Sequence, residues 1–312
     1  LVIVLPVVIA LATLWFVTGK PGTRISLMSH RIRMDILLLF IPMMILWTMR
    51  ETAVHLGYIE HLTMIDVVGI LLILVFSPFL VAMILPASTL HNRELRQSVL
   101  DVGSRAGVRL CNVLVWNTHQ RLINAMAIGF VPWRRSVILT DKLISHLTPR
   151  ELLSVMGHEV GHHRYRHALF LGLTVFGVML WSDRIIQQIV PPNFEAISIL
   201  VELVIVVMAL MYVSRQFERQ ADTYAAVDYS RTQGSTTITE NAALGMSNAL
   251  SAIAWSHNIL VDRYEPMHGS IKSRQQHLTQ VIGSSIADLP IDRDVRRIKL
   301  GIAVLFLSGI LI

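Results

Sequence analysis

The sequence has one cysteine, Cys111, among 312 residues, and only 15% of its residues are charged. A lone cysteine excludes an internal disulfide and gives no sign of an oxidising compartment. Soluble domains average about 25% charged residues, so this low charge content excludes one ordinary globular core. The 53% of hydrophobic residues indicates a membrane protein instead.

The sequence also lacks the dense basic tract expected of a nucleic-acid-binding protein. Lysine and arginine exceed the acidic residues by 27 to 21, but they are spread over the segments between apolar runs. Basic cytoplasmic loops explain this distribution, so we expect a lipid bilayer as a partner and no nucleic acid. The chain does not begin with methionine, and both ends lie inside apolar runs. We therefore interpret it as part of a longer sequence, and we do not interpret its first residues as a signal peptide.

Six apolar segments predict about six membrane helices. A spanning helix needs about 20 apolar residues, a length that the third and fifth segments reach. The second and fourth are short, which leaves interfacial or buried helices as the alternative, and the chain ends cut the first and last. The segments are residues 1–18, 36–48, 67–85, 168–181, 196–213 and 301–312.

Arginine and lysine are concentrated in alternate connections between these segments. Residues 19–33, 88–167 and 215–299 are rich in them, whereas residues 50–66 and 182–195 carry few. The positive-inside rule therefore places the three basic connections on the cytoplasmic face.

Local patterns predict both strands and helices in the second basic connection. Runs rich in valine, isoleucine and leucine predict strands at residues 108–117, 124–130 and 136–141. Thr148 and Glu151 then form a capping-box pattern, with a proline at the first helical position. No strong breaker follows, so we expect this helix to run on into the fourth apolar segment. The fifth segment is likewise expected to continue as a helix past its polar end.

The capped helix carries the motif H-E-x-x-H at His158, Glu159 and His162. Residues four apart share one face of a helix, so both imidazoles can reach one metal ion with Glu159 beside them. Two histidines and a carboxylate suit zinc, which lowers the pKa of a bound water and polarises a carbonyl. The sequence therefore predicts a catalytic zinc site.

A third ligand is available from the E-x-x-x-D pattern at Glu218 and Asp222. Glu218 would complete the coordination, and Asp222 would hydrogen-bond the far nitrogen of a ligand histidine. Alone, such a pattern is more typical of an exposed helix. Two membrane-anchored helices joined by one short turn, however, would bring both motifs to the same face.

These residues resemble the HtpX and CAAX-prenyl-protease family of integral-membrane zinc metallopeptidases, of gluzincin type. The resemblance covers about residues 124–278 and rests on "NAMAIG", "VILTDKLISHLTPRELLSVMGHEVGHHRYRH", "FERQAD" and "HGSIKSR". It implies one zinc ion per chain on His158, His162 and Glu218, with Glu159 as general base. The family's usual proline after the histidine of the last motif is absent, because Gly269 follows His268.

The resemblance also suggests roles around the metal. The Asn-Ala-x-x-x-Gly segment would form an edge strand that pairs with a substrate backbone; its residues are Asn124, Ala125, Met126 and Gly129. His268 is the first candidate to stabilise the oxyanion. Arg274 is expected to pair with Asp222 or to steady its loop.

Two further histidines follow the motif and are not expected to bind metal. On a continuous helix His163 points about 100° away from His162. We expect His163 and His167 to form a basic collar at the headgroup level, together with Arg164 and Arg166.

The predicted fold class is an α-helical integral membrane protein with a small cytoplasmic α+β zincin-like metalloprotease domain. Residues 1–87 would form three membrane helices, residues 168–214 a membrane hairpin, and residues 299–312 the start of a further membrane helix. Residues 88–167 and 215–298 would form the cytoplasmic blocks, the second of which contains the third ligand.

The predicted function is a zinc endopeptidase, multi-pass in a bacterial inner membrane, with its active site on the cytoplasmic face. Its expected substrates are polypeptides, and the favoured role is quality control of misfolded or membrane proteins. Maturation of a specific, lipidated protein and a sensor protease remain alternatives among enzymes. From another class, a non-catalytic membrane scaffold or a transporter remains open, although the broken helices and paired halves of transporters are not evident.

Overall fold

The computed structural model describes residues 38–311 with gaps. The undescribed positions after residue 37 are 63, 67, 71, 74, 75, 77–80, 82–84, 86, 130, 190, 192, 193 and 312. The first apolar segment and the basic connection after it lie outside the described residues. The described chain forms two compact units, and the boundary between them falls inside one helix.

The first unit comprises the described residues up to Arg96 together with Arg109–His146. Its elements among the described residues include a four-stranded sheet, two short 3₁₀ turns, two helices and the start of another. These elements are α1 (Leu38–His55), the turn Ile59–His61, β1 (Ala87–Thr89), α2 (Arg93–Arg105), β2 (Asn112–Trp116), β3 (Ala125–Ile128), the turn Pro132–Arg134, β4 (Ser136–Thr140) and α3 (Asp141–His146).

The sheet has the order β1-β2-β4-β3, which makes β3 an edge strand. β2 and β4 are parallel, and the two outer pairs are antiparallel. Every residue of β4 is buried, as expected of a central strand rich in valine, isoleucine and leucine. Leu85, Trp116 and Ile138 form part of the core of this unit. The three predicted strands are thus confirmed, while β1 carries no hydrophobic pattern and was not predicted.

The second unit comprises Gln97–Val108 and Leu147–Ile312 and is helical. Its core contains Phe217, Ile238, Met246, Leu278 and Val295. Its helices are the second part of α2, followed by α4 (Pro149–Arg164), α5 (His167–Ile189), α6 (Glu195–Thr232), α7 (Glu240–Ser256), α8 (Ile271–Gln280) and α9 (Pro290–Leu311).

Two glycines let α4 approach α6 closely. A β-carbon at Gly157 would lie 3.0 Å from the Cα of Ala225, and one at Gly161 would lie 3.3 Å from the Cα of Ala221. Each glycine directly precedes one of the motif histidines and faces α6. The close approach therefore presses H-E-x-x-H against the helix that contains Glu218.

The predicted continuous helix through the motif is wrong, because the chain breaks between α4 and α5. Tyr165 ends α4, and Arg166 has a left-handed backbone with φ +54°. Lys299 donates to the freed carbonyl of Tyr165 at 2.5 Å, which satisfies an acceptor that the interrupted helix leaves open. The predicted continuity of the fifth apolar segment is confirmed, since α6 runs without interruption over 38 residues.

Two described helices are long and apolar enough to cross a membrane: His167–Ile186 within α5 and Ile197–Thr232 within α6. Length and composition alone are weak support, because buried core helices pass the same test. Here, however, α6 exposes many of its large apolar side chains, among them Ile197, Ile199, Leu200, Leu203, Val204 and Met208. The prediction of about six membrane helices is not confirmed.

Candidate metal centre

The helix that carries the motif begins at a complete capping box. The backbone N–H of Thr148 donates to the Glu151 carboxylate at 2.9 Å, and the Thr148 hydroxyl accepts from the backbone N–H of Glu151. Such a cap stabilises a helix by about 1 kcal/mol. It fixes where α4 starts and therefore which residues face α6.

His158, His162 and Glu218 bring three donor groups together at the contact between α4 and α6. The two Nε2 atoms are 3.0 Å apart. Nε2 of His158 lies 3.6 Å from Glu218 Oε2, and Nε2 of His162 lies 3.6 Å from Oε1 of the same carboxylate. His158 and Glu218 are buried, and 21% of the His162 side chain is exposed.

These separations fit a tetrahedral zinc ion. Zinc–nitrogen and zinc–oxygen bonds of about 2.0–2.2 Å imply donor atoms about 3.3–3.6 Å apart at the corners of a tetrahedron. The distances between the three donor groups lie within a few tenths of an ångström of that range. The residues present therefore fit a metal of this kind, with the fourth corner left to water or substrate.

Asp222 fixes the tautomer of His158. Its Oδ1 lies 2.9 Å from His158 Nδ1, so Nδ1 carries the proton and Nε2 presents its lone pair to the donor cluster. Arg274 holds Asp222 through Nε and Nη2 at 2.7 and 2.6 Å, and its Nη1 lies 3.1 Å from Glu218. One buried guanidinium thus joins a ligand carboxylate to the acid behind the first histidine.

A second chain of hydrogen bonds fixes the tautomer of His162. Gln220 donates from Nε2 to Asp292 at 2.6 Å, so its amide oxygen faces His167 Nε2 at 2.9 Å. An amide oxygen only accepts, so His167 carries its proton on Nε2 and accepts at Nδ1. His162 Nδ1 lies 2.9 Å from that acceptor, which leaves His162 Nε2 unprotonated towards the cluster.

His167 and Gln220 were missed by the sequence patterns. The predicted basic collar is wrong for both of its histidines, because His163 and His167 are buried. Five residues along a continuous helix would turn His167 about 140° away from His162. Only the break at Arg166 lets the two rings meet, so no spacing rule could have found the contact.

The buried groups of the cluster shift one another's pKa values. Burial and the neighbouring His158 lower the pKa of His162 to about 3, so its ring is neutral near pH 7. Burial would lower the pKa of His158, but the Asp222 hydrogen bond and the Glu218 charge raise it. Burial also opposes the charge of Arg274, yet Asp222 and Glu218 raise its pKa above the ordinary value.

Glu159 and His268 stand at the edge of the cluster. Glu159 is buried on α4, and its charge contributes to the raised pKa of Arg274. His268 lies in a turn, with Nε2 4.0 Å from Glu218 and 59% of its side chain exposed. Gly269 has φ +73°, a backbone that proline cannot adopt. Proline therefore does not fit position 269 in this conformation.

The residues predicted to bind substrate belong to the first unit. Ala125 and Met126 lie in β3, whose outer side has no neighbouring strand among the described residues. Asn124 precedes β3 and exchanges hydrogen bonds with Thr140, its backbone N–H donating to Thr140 Oγ1 and its carbonyl accepting from the Thr140 N–H. Gly129 has φ +99°, and a β-carbon there would overlap the Arg134 carbonyl. The backbone of this turn therefore requires glycine at position 129.

Comparison with known proteins finds a family and several relatives. The sequence pattern described as "Peptidase family M48" matches residues 89–279. "Probable CAAX prenyl protease 1" of Schizosaccharomyces pombe is 23% identical over 222 residues, 63% of this chain and 47% of that protein. The "CAAX prenyl protease 1 homolog" of Dictyostelium discoideum is 28% identical over 157 residues, 42% of this chain and 36% of that protein.

Two further matches complete the comparison. The "Uncharacterized metalloprotease YhfN" of Bacillus subtilis is 30% identical over 86 residues, 27% of this chain and 20% of that protein. The crystal structure of S. mikatae Ste24p covers 82% of this chain and 66% of its own, with a TM-score of 0.57 and 17% identity, so the two share a fold. The chain spans about half the length of the first curated relative. These matches confirm the predicted family resemblance.

Proposed function

Because this chain belongs to peptidase family M48, we propose that it is a membrane-embedded, zinc-dependent endopeptidase that cuts misfolded or membrane proteins. The observation that carries the proposal is the convergence of His158, His162 and Glu218 on one point. An isolated H-E-x-x-H arises by chance in many helices, but chance does not bring a buried carboxylate of another helix to both histidines.

His158, His162 and Glu218 would hold the metal. When bound, zinc would polarise the scissile carbonyl and lower the pKa of a water molecule. Asp222 and the His167–Gln220 chain hold each histidine with its Nε2 lone pair towards the donor cluster, which would raise metal affinity and limit ring rotation.

Glu159 is the proposed general base and acid. Its carboxylate would accept a proton from the attacking water and deliver a proton to the leaving amine. Its burial next to His158 places it beside the donor cluster and away from bulk water. His268, 4.0 Å from Glu218, is proposed to donate a hydrogen bond to the developing oxyanion. The edge strand β3 is proposed to pair with the substrate backbone.

The membrane location is supported by α5 and α6. Both are long and apolar enough to cross a membrane. α6 also exposes a long row of apolar side chains, and soluble proteins rarely leave so large an apolar surface in contact with water. We propose that both helices cross a bacterial inner membrane and that the zinc site faces the cytoplasm. Multi-pass topology is part of the same proposal.

A second candidate function is maturation of a specific, lipidated protein. It is favoured by the names of two relatives, which are CAAX prenyl proteases. A non-catalytic scaffold is the alternative from another class; it is disfavoured because all four groups needed for metal binding and proton transfer are present.

The test compares wild type with two variants, Glu159→Gln and Glu218→Gln, purified in detergent. Elemental analysis should find one zinc per chain in wild type and in Glu159→Gln, and much less in Glu218→Gln. Unfolded casein should be cut by wild type alone. Wild type without zinc, or casein cleavage undiminished in Glu159→Gln, would refute the peptidase proposal.

The same preparation separates the two substrate classes. Cleavage of casein at many positions supports quality control. Cleavage of a farnesylated C-terminal peptide, with casein left intact, supports maturation. Zinc bound by a wild-type protein that cuts neither substrate would favour the scaffold.

A further inference from the structure

A cavity of about 550 Å³ lies beside the break between α4 and α5, where α6 and α9 pack against it. This volume is in the range of sites for small organic ligands. Its polar lining includes Arg164, Gln220, Asp292, Arg296 and Lys299. Its apolar lining comes mainly from Phe170, Val295, Leu300 and Ala303.

The lining carries an excess of positive charge. Three cations, Arg164, Arg296 and Lys299, face one acid, Asp292. Within the described part of the chain, none of the three cations forms a salt bridge. Asp292 is engaged by Gln220, which donates to it at 2.6 Å. The cavity therefore has cationic groups that no carboxylate of the described residues neutralises by direct pairing.

Lys299 is held by neutral groups rather than by an acid. Its Nζ donates to the Tyr165 carbonyl at 2.5 Å and lies 5.0–5.5 Å from the ring centroids of Tyr165, Phe170 and Phe217. Burial is the main cause that lowers its pKa to about 8; the charge of Asp292 opposes this shift and the charge of Arg166 adds to it. A bound anion would be a negatively charged partner for the Lys299 ammonium, which pairs with no acid of the described residues.

The cavity lies where two helices change from polar to apolar. On α9 the polar run "PIDRDVRRIK" ends at Lys299, and the exposed apolar side chains of Leu300, Val304 and Leu307 follow. The candidate span of α5 begins at His167, directly after the break. If these helices cross the membrane as proposed above, the cavity is at the level of the phospholipid headgroups.

We propose that this cavity binds the phosphate of an anionic phospholipid headgroup. Arg296 and Lys299 would contact the phosphate oxygens, with Arg164 adding to the positive field. The first part of an acyl chain would lie along Leu300 and Ala303. This inference rests on the proposed membrane location but not on zinc binding or peptidase activity.

The experiment uses the whole chain, delipidated in neutral detergent, and counts bound lipids by native mass spectrometry. Phosphatidylglycerol and phosphatidylcholine are compared at equal concentrations. The variants are Arg296→Gln and Lys299→Gln; Arg296 is exposed, so we expect its replacement to leave folding unaffected. The matched control is Arg297→Gln, which removes the same charge from the next position of α9, outside the cavity and 82% exposed. Gln220 and Asp292 are left unchanged because they support His167.

We expect one phosphatidylglycerol to bind wild type and the Arg297 variant more tightly than phosphatidylcholine. Each cavity variant should weaken that binding about fivefold, the usual effect of one basic residue at an anionic membrane surface. Equal binding by wild type, both cavity variants and the control would overturn the proposal.

Inorganic phosphate in detergent, followed by thermal shift, distinguishes a lipid from a soluble ligand. In one outcome, phosphate stabilises wild type but not the cavity variants, and no phosphatidylglycerol binds. The ligand would then be a soluble phosphate compound and not a lipid. Because zinc content and casein cleavage are measured separately, failure of the peptidase proposal is distinguishable from failure of this one.

Discussion

Replacing Asp222 with asparagine tests the network behind the first histidine. Asparagine keeps the shape of the side chain but removes its negative charge. Asp222 is fully buried and accepts two hydrogen bonds from Arg274 and one from His158. The variant therefore leaves the buried guanidinium in contact with Glu218, 3.1 Å away, but without the Asp222 charge. It also replaces one of the two oxygens that accept from His158 and Arg274 with an NH₂ donor, which weakens the control of the His158 tautomer.

The magnitude follows from these contacts. Removing one partner of a buried ion pair costs about 3–5 kcal/mol. The remaining contact to Glu218 compensates part of the Arg274 charge. We therefore expect the metal-free variant to lose about 3 kcal/mol of stability, the lower end of this range. Loss of the carboxylate behind a metal-binding histidine weakens metal affinity about 10- to 100-fold, equivalent to about 1.4–2.8 kcal/mol.

The assay measures zinc affinity by competition with a chromogenic chelator and stability by denaturant unfolding in detergent. The matched control is Asp228→Asn on the same helix. Asp228 also pairs with an arginine through two hydrogen bonds, from Arg105 at 2.9 and 2.7 Å, but 40% of the Arg105 side chain is exposed. The control should lose less stability and keep its zinc affinity. Zinc affinity within twofold of wild type in Asp222→Asn would refute the role assigned to Asp222.

Three further outcomes follow from the structure. His167→Phe keeps the ring stacking but removes the acceptor of His162, so a zinc titration should show affinity about 10- to 100-fold lower; unchanged affinity would contradict the second hydrogen-bond chain. Gly157→Ala places a β-carbon 3.0 Å from the backbone of Ala225, so unfolding should show a loss of about 1–3 kcal/mol, and an equally stable variant would disprove the tight helix contact. Lys299 should titrate near pH 8 in NMR of ¹³C-methylated protein, with its signal assigned by loss in Lys299→Gln. Since the unfolded lysine keeps its ordinary pKa of about 10.4, stability from this group should rise with pH between about 8 and 10.4; a titration near 10.4 would contradict its burial.

Local signals in the sequence predicted much of the fold. The strands β2, β3 and β4 follow from runs of branched aliphatic residues, and the start of α4 follows from the Thr148–Glu151 capping box. The length of α6 follows from the absence of proline and glycine over its course. The break at Arg166 was not predictable in this way, because arginine carries no signal for a left-handed backbone. Packing of Lys299 and of the rings around it favours that conformation.

The donor set of the candidate metal centre was predictable because metal ligation requires particular residue types at particular helical spacings. H-E-x-x-H and E-x-x-x-D each give two positions on one helical face. The roles of His167 and Gln220 were not predictable, since their contacts depend on the break and on the angle between α4 and α6. Arg274 was expected near Asp222, but its third contact, to Glu218, depends on how the loop before α8 folds back.

The sequence by itself determined which residue types are available to bind a metal and which helices present them, because helical periodicity is a local property of the backbone. It also determined that apolar surface would be left exposed on α6. Only the tertiary structure decided that the two motifs meet, which ring nitrogens carry the protons and where unpaired cations surround a cavity. Those features depend on contacts between residues tens to more than one hundred positions apart in the chain, and no local pattern encodes them.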